Sequence, residues 1–347
     1  LFTPLFHRSG QPGGAAPDPL SPLPSPSPRL CAKCYKGKKM DKGVAFPTCL
    51  SVNSVVGHHC PLAGDEGTLA AGDVVKVDLG AHIDGWIAVA AHTHVVGVDG
   101  PVSGPEGDLL AGAAVALDAA LRCVRPGKQI AAVSDVLAKV AAAYGLTVVE
   151  GVMSHNLKQF VIDGEKTALN RVTPDQKAED GTFEENEAWA VDVVLSTGAG
   201  VSKVRDEKET GVYKRALEGG YSLKMKASRA VLSEVIKRFS TMPFSLRALA
   251  TPGARLGLVE CVNHGLIAPY PVLHEKAGAK TAQFKATVLL TPNGSDRITG
   301  APVQAWATEK AVADAEVKAL LATSLKTKKK KKAAAKPAAD AVAAGAG

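Results

Sequence analysis

The sequence KVDLGAHIDGWIAVAAHT, residues 76–93, predicts two adjacent strands joined by a glycine-containing turn. The first strand is apolar and ends at Asp78, and the second covers residues 86–91. Two such strands hold two side chains in one cavity when these stand eleven residues apart, as Asp78 and Val89 do. A hydrolase with two metal ions needs carboxylates at both positions, because hard cations about 3.5–4 Å apart require bridging oxygens. Val89 has no oxygen, so the chemistry depends on which other ligands the chain retains.

The length and composition set broad limits on the protein class. The 347 residues suffice for one large domain or two ordinary ones. A hydrophobic content of 46% with 22% charged residues is typical of a globular protein. No run of 18 apolar residues and no signal peptide are readable, so no membrane partner is expected. Six scattered cysteines indicate reduced thiols in a cytosolic or nuclear protein: Cys31, Cys34, Cys49, Cys60, Cys123 and Cys261.

The positive charge lies at the two ends of the chain. Residues 1–42 carry +5 and residues 323–347 carry +6, so residues 43–322 carry −4 of the total of +7. We expect residues 1–42 to be a disordered Pro-rich and then basic segment, since its first 30 residues contain eight prolines. Residues 323–347, the Lys-rich tail, are expected to be disordered as well. This pattern favours ends that grip a polyanion over a wholly basic DNA-binding domain.

Hydrophobic periodicity predicts an ordered domain at 43–322 that alternates strands and helices. Helices are expected at 105–124, 130–144 and 308–321. Residues 200–280, the insert, break the rhythm and contain a basic helical stretch at 223–239. The single CxxC at Cys31 and Cys34 is a weak zinc signal without a second pair at suitable spacing, so free thiols are favoured there.

Several longer motifs resemble one family. The segments AFPTCLSVN, GDVVKVDLGAHIDGWIA, SHNLKQFVIDGEKT, LKMKASRA and AQFKATVLLTPNG, with the terminal lysine run, cover roughly residues 31–332. They resemble the type II methionine aminopeptidases and, more closely, their non-peptidase relatives, the proliferation-associated, ErbB-receptor-binding proteins. The resemblance implies an α/β pita-bread fold with a type II helical insert at about 200–280. It departs from the family at residues 1–30, where the relatives have ordered helices.

The resemblance also assigns the positions of the peptidase metal ligands, which are two Asp, one His and two Glu. Three positions keep a polar residue, Asp78, His155 and Asp192, the last standing where the peptidases have Glu. The second Asp position is Val89 and the last Glu position is Lys285. One substrate-side histidine is matched by His58, and the other falls on Asp163. Taken singly, each remnant is explained as well by an ordinary hydrogen-bonding role, because most buried polar residues have one.

Lys285 is the change with the largest physical consequence. Two unit charges about 4 Å apart interact by about 4 kcal/mol at an effective dielectric of 20, and the repulsion from a dication is twice that. Beside Asp78 and Asp192 the same ammonium is attracted. We therefore expect Lys285 to replace the metal and to bridge the two carboxylates, leaving no Lewis acid, no metal and no cofactor.

The expected function is that of a catalytically inactive aminopeptidase-like protein. By resemblance it binds structured and ribosomal RNA, and it binds the large ribosomal subunit near the peptide tunnel exit. It acts in growth control, in translation or transcription, in the cytoplasm and the nucleus or nucleolus. The predicted RNA contacts are basic residues of the tail and the insert: Lys326, Lys328, Lys329, Lys330, Lys331, Lys332, Lys224, Lys226 and Arg229.

Two alternatives remain open from the sequence. Asp78, His155 and Asp192 alone are enough for a weak single-metal aminopeptidase site. A protein-binding corepressor scaffold with transcription or signalling partners is the second alternative, since residues 315–321, AEVKALL, stand where relatives have an LxxLL-like helix. Val317 replaces its first leucine, so we favour core packing for this helix.

Overall fold

The structure is a computed structural model that describes residues 40–62, 64–177 and 180–326. Within these residues the strands are β1 Lys42–Val52, β2 Val55–Gly57, β3 Val74–Ile83, β4 Trp86–Val95, β5 Thr147–Val148, β6 Met153–Leu157, β7 Thr167–Leu169, β8 Ala188–Ser196, β9 Lys203–Val204, β10 Val212–Arg215, β11 Phe244–Ser245, β12 Ile267–Tyr270, β13 Leu273–His274, β14 Thr281–Thr291 and β15 Gly294–Arg297. The α-helices are α1 Gly104–Cys123, α2 Ala132–Ala143, α3 Lys226–Arg238, α4 Ala254–Asn263 and α5 Ala315–Leu321.

The central feature is a sheet of nine strands in the order β1-β3-β4-β14-β8-β6-β7, with β15 on β14 and β5 on β8. The predicted strand pair at 76–93 forms β3 and β4, which pair antiparallel with Asp78 opposite Ala91. The long strand β14 pairs with β4 on one side and with β8 on the other. Residues 76–93 and 281–291, far apart in sequence, therefore lie side by side at the middle of the sheet.

The two faces of this sheet carry different residues because side chains alternate along a strand. On β14, Phe284, Ala286 and Val288 pack with α1 and α2 in the main apolar core. The alternate residues of the same strand, Gln283 and Lys285, point to the opposite face and are buried as well. A strand buried on both faces carries a polar face only where those polar groups have partners.

The predicted helices α1 and α2 are confirmed within two residues at each end. Gly145, at a φ of 67°, follows α2, which explains a glycine at this position because that conformation strains other residues. Between β9 and β13 the chain forms one three-stranded sheet, β11-β10-β12, with α3 and α4, while β9 and β13 themselves join β2 in a second sheet of order β2-β13-β9. The helices α3 and α4 share a small core that includes Val231, Val235 and Leu258.

The prediction of a helix at 308–321 is wrong for its first half. The helix α5 begins only at Ala315, because the Asp314 side chain accepts a hydrogen bond from Val317 N at 2.9 Å and so caps it. The preceding segment is held against α1 instead, through a hydrogen bond from Thr308 to Asp108. Val317 is buried in the main core, and Leu320 and Leu321 pack against it, which confirms the predicted core role of this helix.

No helix of the described part of the chain combines the length and the apolar character that a membrane span requires.

Candidate functional site

Three charged side chains meet on one line across the central sheet. Lys285 on β14 stands opposite Asp192 on β8 and opposite Ala91 on β4, and Ala91 in turn stands opposite Asp78 on β3. Directly opposed residues project from the same face of a sheet. We call Asp78, Ala91, Lys285 and Asp192 the charge row. The small side chain of Ala91 leaves room for Lys285 to reach Asp78, which lies two strands away at about 4.8 Å per strand.

The ammonium of Lys285 bridges both carboxylates. Its Nζ lies 2.6 Å from Asp78 Oδ2 and 3.0 Å from Asp192 Oδ2. All three side chains are buried, with exposed fractions of 9% for Lys285, 4% for Asp78 and 7% for Asp192. This is the ion bridge that the sequence analysis expects from Lys285.

The second carboxylate has further support. Gln283 Nε2 donates to both oxygens of Asp192 at 2.9 and 3.0 Å, and Ser154 Oγ accepts from the Asp192 backbone N–H at 3.1 Å. Gln283 was not singled out from the sequence. It stands two residues from Lys285 on β14, and side chains two residues apart lie on the same face of a strand, so this spacing could have placed Gln283 at the site.

The charges of the row shift its pKa values. Burial lowers the pKa of Lys285, but the attraction of Asp192 and Asp78 outweighs burial and raises it overall. Burial raises the pKa of Asp78 to about 6, because the attraction of Lys285 is offset in part by repulsion from Asp192. The charge row thus holds a protonated Lys285 between two carboxylates, and the raised pKa of Asp78 means that the negative charge of Asp78 is disfavoured.

Two histidines that the sequence predicts at the site lie beside the charge row. Burial, with the nearby Lys285 charge, lowers the pKa of both His155 and His58. His58 Nδ1 lies 3.0 Å from the carbonyl oxygen of Pro271, whereas His155 Nδ1 has no hydrogen-bond partner among the described residues. Both rings are therefore held neutral in the folded protein at neutral pH.

The insert closes over this site. Phe46, His58 and Tyr270 form a ring cluster with centroid separations of 5.4 to 6.0 Å, and Lys285 Nζ lies 5.5 Å from the centroid of Phe46. Asp163, which stands at a peptidase histidine position by resemblance, forms an ion pair with Lys214 of β10. The contacts of Tyr270 and Lys214 at this site were not predicted from the sequence, because they depend on how the insert folds back.

The residues present do not fit a pair of divalent cations. At the Val89 position an apolar side chain packs in a core cluster, and at the Lys285 position an ammonium occupies hydrogen-bonding distance of both carboxylates. Within the described residues, no three His, Cys, Asp or Glu side chains converge in a way that would hold a metal ion. A cation between Asp78 and Asp192 would have to displace the Lys285 ammonium.

The residues predicted to contact RNA are spread over separate places. Lys224 and Lys226 are exposed at the start of α3. Arg229 donates to the carbonyl oxygens of Leu223 and Lys224 at 2.8 and 2.7 Å, so it supports the first turn of the helix. Lys326 is paired with Asp296 at 2.9 Å. The remaining predicted RNA contacts lie outside the described residues: Lys328, Lys329, Lys330, Lys331 and Lys332. The CxxC cysteines Cys31 and Cys34 also lie outside the described residues.

Comparison with known proteins supplies the family. The model of metallopeptidase family M24 matches residues 29–223, which is more than half of the chain. The chain belongs to this family. ERBB-3 binding protein 1 of Solanum tuberosum is 53% identical over 294 residues, covering 84% of this chain and 76% of that protein. Proliferation-associated protein A of Dictyostelium discoideum is 46% identical over 306 residues, covering 86% of this chain and 79% of that protein.

A solved structure supports the same placement within M24. The structure of a thermophilic Arx1 is 30% identical to this chain with a TM-score of 0.79, and the match covers 85% of this chain and 87% of that one. The pita-bread fold and the predicted membership of the ErbB-receptor-binding, proliferation-associated branch are therefore confirmed. The name of ERBB-3 binding protein 1 describes a binding protein, and that of proliferation-associated protein A describes a link to proliferation.

Proposed function

We propose that this chain is a catalytically inactive aminopeptidase-like protein that binds structured RNA and the large ribosomal subunit near the tunnel exit. Its role is in growth control, through translation or transcription, in the cytoplasm and the nucleus or nucleolus. The observation that carries the first half of the proposal is the Lys285 ammonium between Asp78 and Asp192. The RNA and ribosome partners rest on the resemblance to relatives that bind them and on the position of exposed cations.

The loss of peptidase activity follows from the charge of Lys285. Hydrolysis by an M24 peptidase depends on cations that activate a water molecule and polarise the peptide carbonyl. An ammonium cannot take either role, because it has no vacant orbital for a water ligand and its protons are directed at Asp78 Oδ2 and Asp192 Oδ2. The pKa of Lys285 is raised, so this ammonium keeps its proton at neutral pH.

Metal analysis with a cleavage assay tests this half of the proposal. The purified protein is expected to hold no stoichiometric Co, Mn, Fe or Zn and to leave Met-peptides intact after incubation with each metal. The matched variant is Lys285→Glu, which returns the carboxylate of the peptidases to this position. Stoichiometric metal together with cleavage by the unchanged protein would instead establish the alternative, a residual single-metal aminopeptidase.

Exposed cations of the insert support contact with a polyanion. Lys224 and Lys226 are exposed at the start of α3, and Lys237 is exposed in its last turn. No carboxylate of the described residues lies within ion-pair distance of these three amines, so they are available to phosphates. Because they stand on a folded helix and the Lys-rich tail carries a further +6, the two segments offer separate sites for one nucleic acid.

Ribosome co-sedimentation across a salt series tests the second half. For each phosphate contact that a variant removes, the slope of log K against log salt is expected to fall by about 0.7 to 0.9. Removal of residues 323–347 is therefore expected to reduce the slope by about 4 to 5, and Lys224→Glu with Lys226→Glu by up to about 2. Lys128→Glu, an exposed lysine in the α1–α2 turn, serves as the matched control and is expected to leave the slope unchanged.

The tail deletion also distinguishes the proposed RNA binding from the alternative of a protein-binding corepressor scaffold. A protein-binding corepressor scaffold predicts that RNA affinity does not depend on residues 323–347. The structure gives that reading less support at α5, because Val317, Leu320 and Leu321 pack into the main core rather than onto an exposed face. Unchanged affinity and slope in both the tail deletion and the insert variants would overturn the proposed RNA binding.

A further inference from the structure

Two thiols face each other across neighbouring chain segments beside the charge row. Cys49 lies on β1, and Cys60 lies just beyond β2. Leu50 N donates to His59 O at 2.7 Å, and His59 Nδ1 lies 2.9 Å from Leu50 O, so residues 50 and 59 are opposed. The residues next to this contact on the two segments are Cys49 and Cys60, whose thiols interact with each other. Both belong to the same apolar cluster and are 1% and 6% exposed.

The spacing of such a pair suits a disulfide. Opposed residues of antiparallel segments have Cα atoms about 4.5 to 5.5 Å apart, which falls within the Cα separations of about 4.4 to 6.8 Å that disulfides span. Both cysteines are free in the structure. Bond formation would close a loop between β1 and the segment that follows β2.

The surroundings make the two thiols chemically unequal. A hydrogen bond from Cys49 and the positive charge of Arg247 lower the pKa of Cys60, against the effect of burial. The pKa of Cys49 is raised well above its usual value by that shared hydrogen bond and by burial. Arg247 is held in place by a hydrogen bond from its Nη1 to Pro61 O at 2.8 Å. Cys60 is thus the more acidic of the two thiols, which makes it the one to attack, and Cys49 the one that resolves the product.

We propose that Cys49 and Cys60 are a peroxide-sensitive pair that closes to a reversible disulfide. The Cys60 thiolate attacks one oxygen of hydrogen peroxide, forming an S–O bond while the O–O bond breaks and hydroxide leaves. The Cys60 sulfur loses two electrons in this step, and the peroxide is reduced. The Cys49 sulfur then attacks the sulfenic sulfur, the S–S bond forms as the S–O bond breaks, and the departing hydroxide takes the Cys49 proton to form water. A dithiol reductant reverses the closure by exchange.

The disulfide would tie the sheet to the segment on which the insert rests. Cys49 stands opposite Asp78 in the β1–β3 ladder. On the other side, the main chain of Cys60 packs against Gly211, the residue before β10, and Arg247 of the insert binds the carbonyl of Pro61. The disulfide would therefore link β1, beside the charge row, covalently to the loop at residues 60–61 that the insert contacts.

Peroxide treatment of the full chain with Cys31→Ser and Cys34→Ser tests the proposal, since four cysteines then remain. We expect alkylation and peptide mass spectrometry to show the loss of two reactive thiols, with a Cys49–Cys60 link lighter by two hydrogen atoms. A dithiol reductant should restore both thiols. In Cys49→Ser, dimedone is expected to trap the sulfenic acid at Cys60. In Cys60→Ser, neither the adduct nor the link should form.

Cys123→Ser is the matched control. Cys123 is also buried, and burial raises its pKa to about 11, so its replacement should leave the yield of the link unchanged. Thermal melting of each variant reports whether it is folded. The proposal is overturned if Cys49 and Cys60 are both still alkylated after denaturation when the folded protein has been treated under conditions that oxidise free glutathione fully. A link that maps to another pair, or a Cys60 that advances to sulfinic acid with Cys49 present, overturns it equally.

Discussion

Lys285 and Lys76 are two buried amines on the same sheet, and their surroundings give them opposite charge preferences. Lys285 lies between two carboxylates, and its pKa is raised. Lys76, two residues before Asp78 on β3, is 1% exposed and donates to the carbonyl oxygens of Asn53 and Thr281 at 3.0 and 3.1 Å. Burial lowers its pKa to about 7.

The difference shows that burial alone does not decide the charge of an amine. Removal from water disfavours the charged form of both side chains. Lys285 recovers that loss because two anionic oxygens lie within 3.0 Å, whereas Lys76 meets only backbone dipoles among the described residues. The charge row is thus a fixed ionic centre, and Lys76 is a site that loses its proton close to neutral pH.

Replacement of Lys285 is expected to have the largest effect on stability. Lys285→Met leaves Asp78 and Asp192 buried without their cation, and breaking a buried ion pair by removing one partner costs about 3–5 kcal/mol. The free energy of unfolding from a denaturant titration measures this loss. Lys280→Met is the matched control on the same strand region, since its pair with Glu106 is partly exposed and is worth about 1 kcal/mol or less.

A triple variant sharpens the same comparison. Lys285→Met combined with Asp78→Asn and Asp192→Asn removes all three charges, and most of the lost stability should return because no buried charge is left unpaired. A loss below about 1 kcal/mol for Lys285→Met alone would contradict the ionic role of the charge row.

The next effect in size is a pH dependence from Lys76. Its pKa is about 7 in the folded protein and near 10.5 in the unfolded chain, so the unfolded state binds more protons between these values. Lys76 is therefore expected to add about 2 kcal/mol to the free energy of unfolding from pH 7 to pH 9. The contribution is lost as the pH falls through the folded pKa. Denaturant titrations at several pH values measure the slope.

Lys76→Met provides the test of this slope, with Lys128→Met as the exposed control. Methionine does not titrate, so Lys76→Met should lack the increase in the free energy of unfolding that the parent protein shows from pH 7 to pH 9. The Lys128→Met control should keep that increase. If Lys76→Met and the parent protein share one pH profile, Lys76 does not lose its proton in the folded state.

The smallest expected effect concerns Asp78. Its folded pKa of about 6 lies above the ordinary value of 3.8, so its contribution is greatest at low pH and is lost as the pH rises through 6. Between pH 7 and pH 5 the parent protein should gain about 1 kcal/mol from this group relative to Asp78→Asn. Parallel titrations of the two proteins measure it. No change in the difference between pH 7 and pH 5 would mean that Lys285 holds Asp78 ionised throughout this range.

Much of the fold could be predicted because the relevant signals are local or are carried by long motifs. The period of hydrophobic residues predicted α1 and α2, and the motifs around Asp78, His155 and Lys285 led to the pita-bread fold. The helix at 308–321 was overpredicted, since the capping by Asp314 and the anchoring of Thr308 on α1 depend on contacts with distant residues.

The sequence by itself determined the types of the site residues and the faces of the strands from which they project. It determined this because a strand alternates its side chains with a period of two, whatever its neighbours are. The resemblance predicted that Lys285 bridges Asp78 and Asp192, but only the tertiary structure gave the distances of that bridge. Only the tertiary structure decided that Lys76 is buried with no carboxylate partner among the described residues, and that Cys49 and Cys60 lie on neighbouring segments. Those relations depend on strand pairing over distances such as the 207 residues between Lys285 and Asp78, and no local pattern encodes a pairing register.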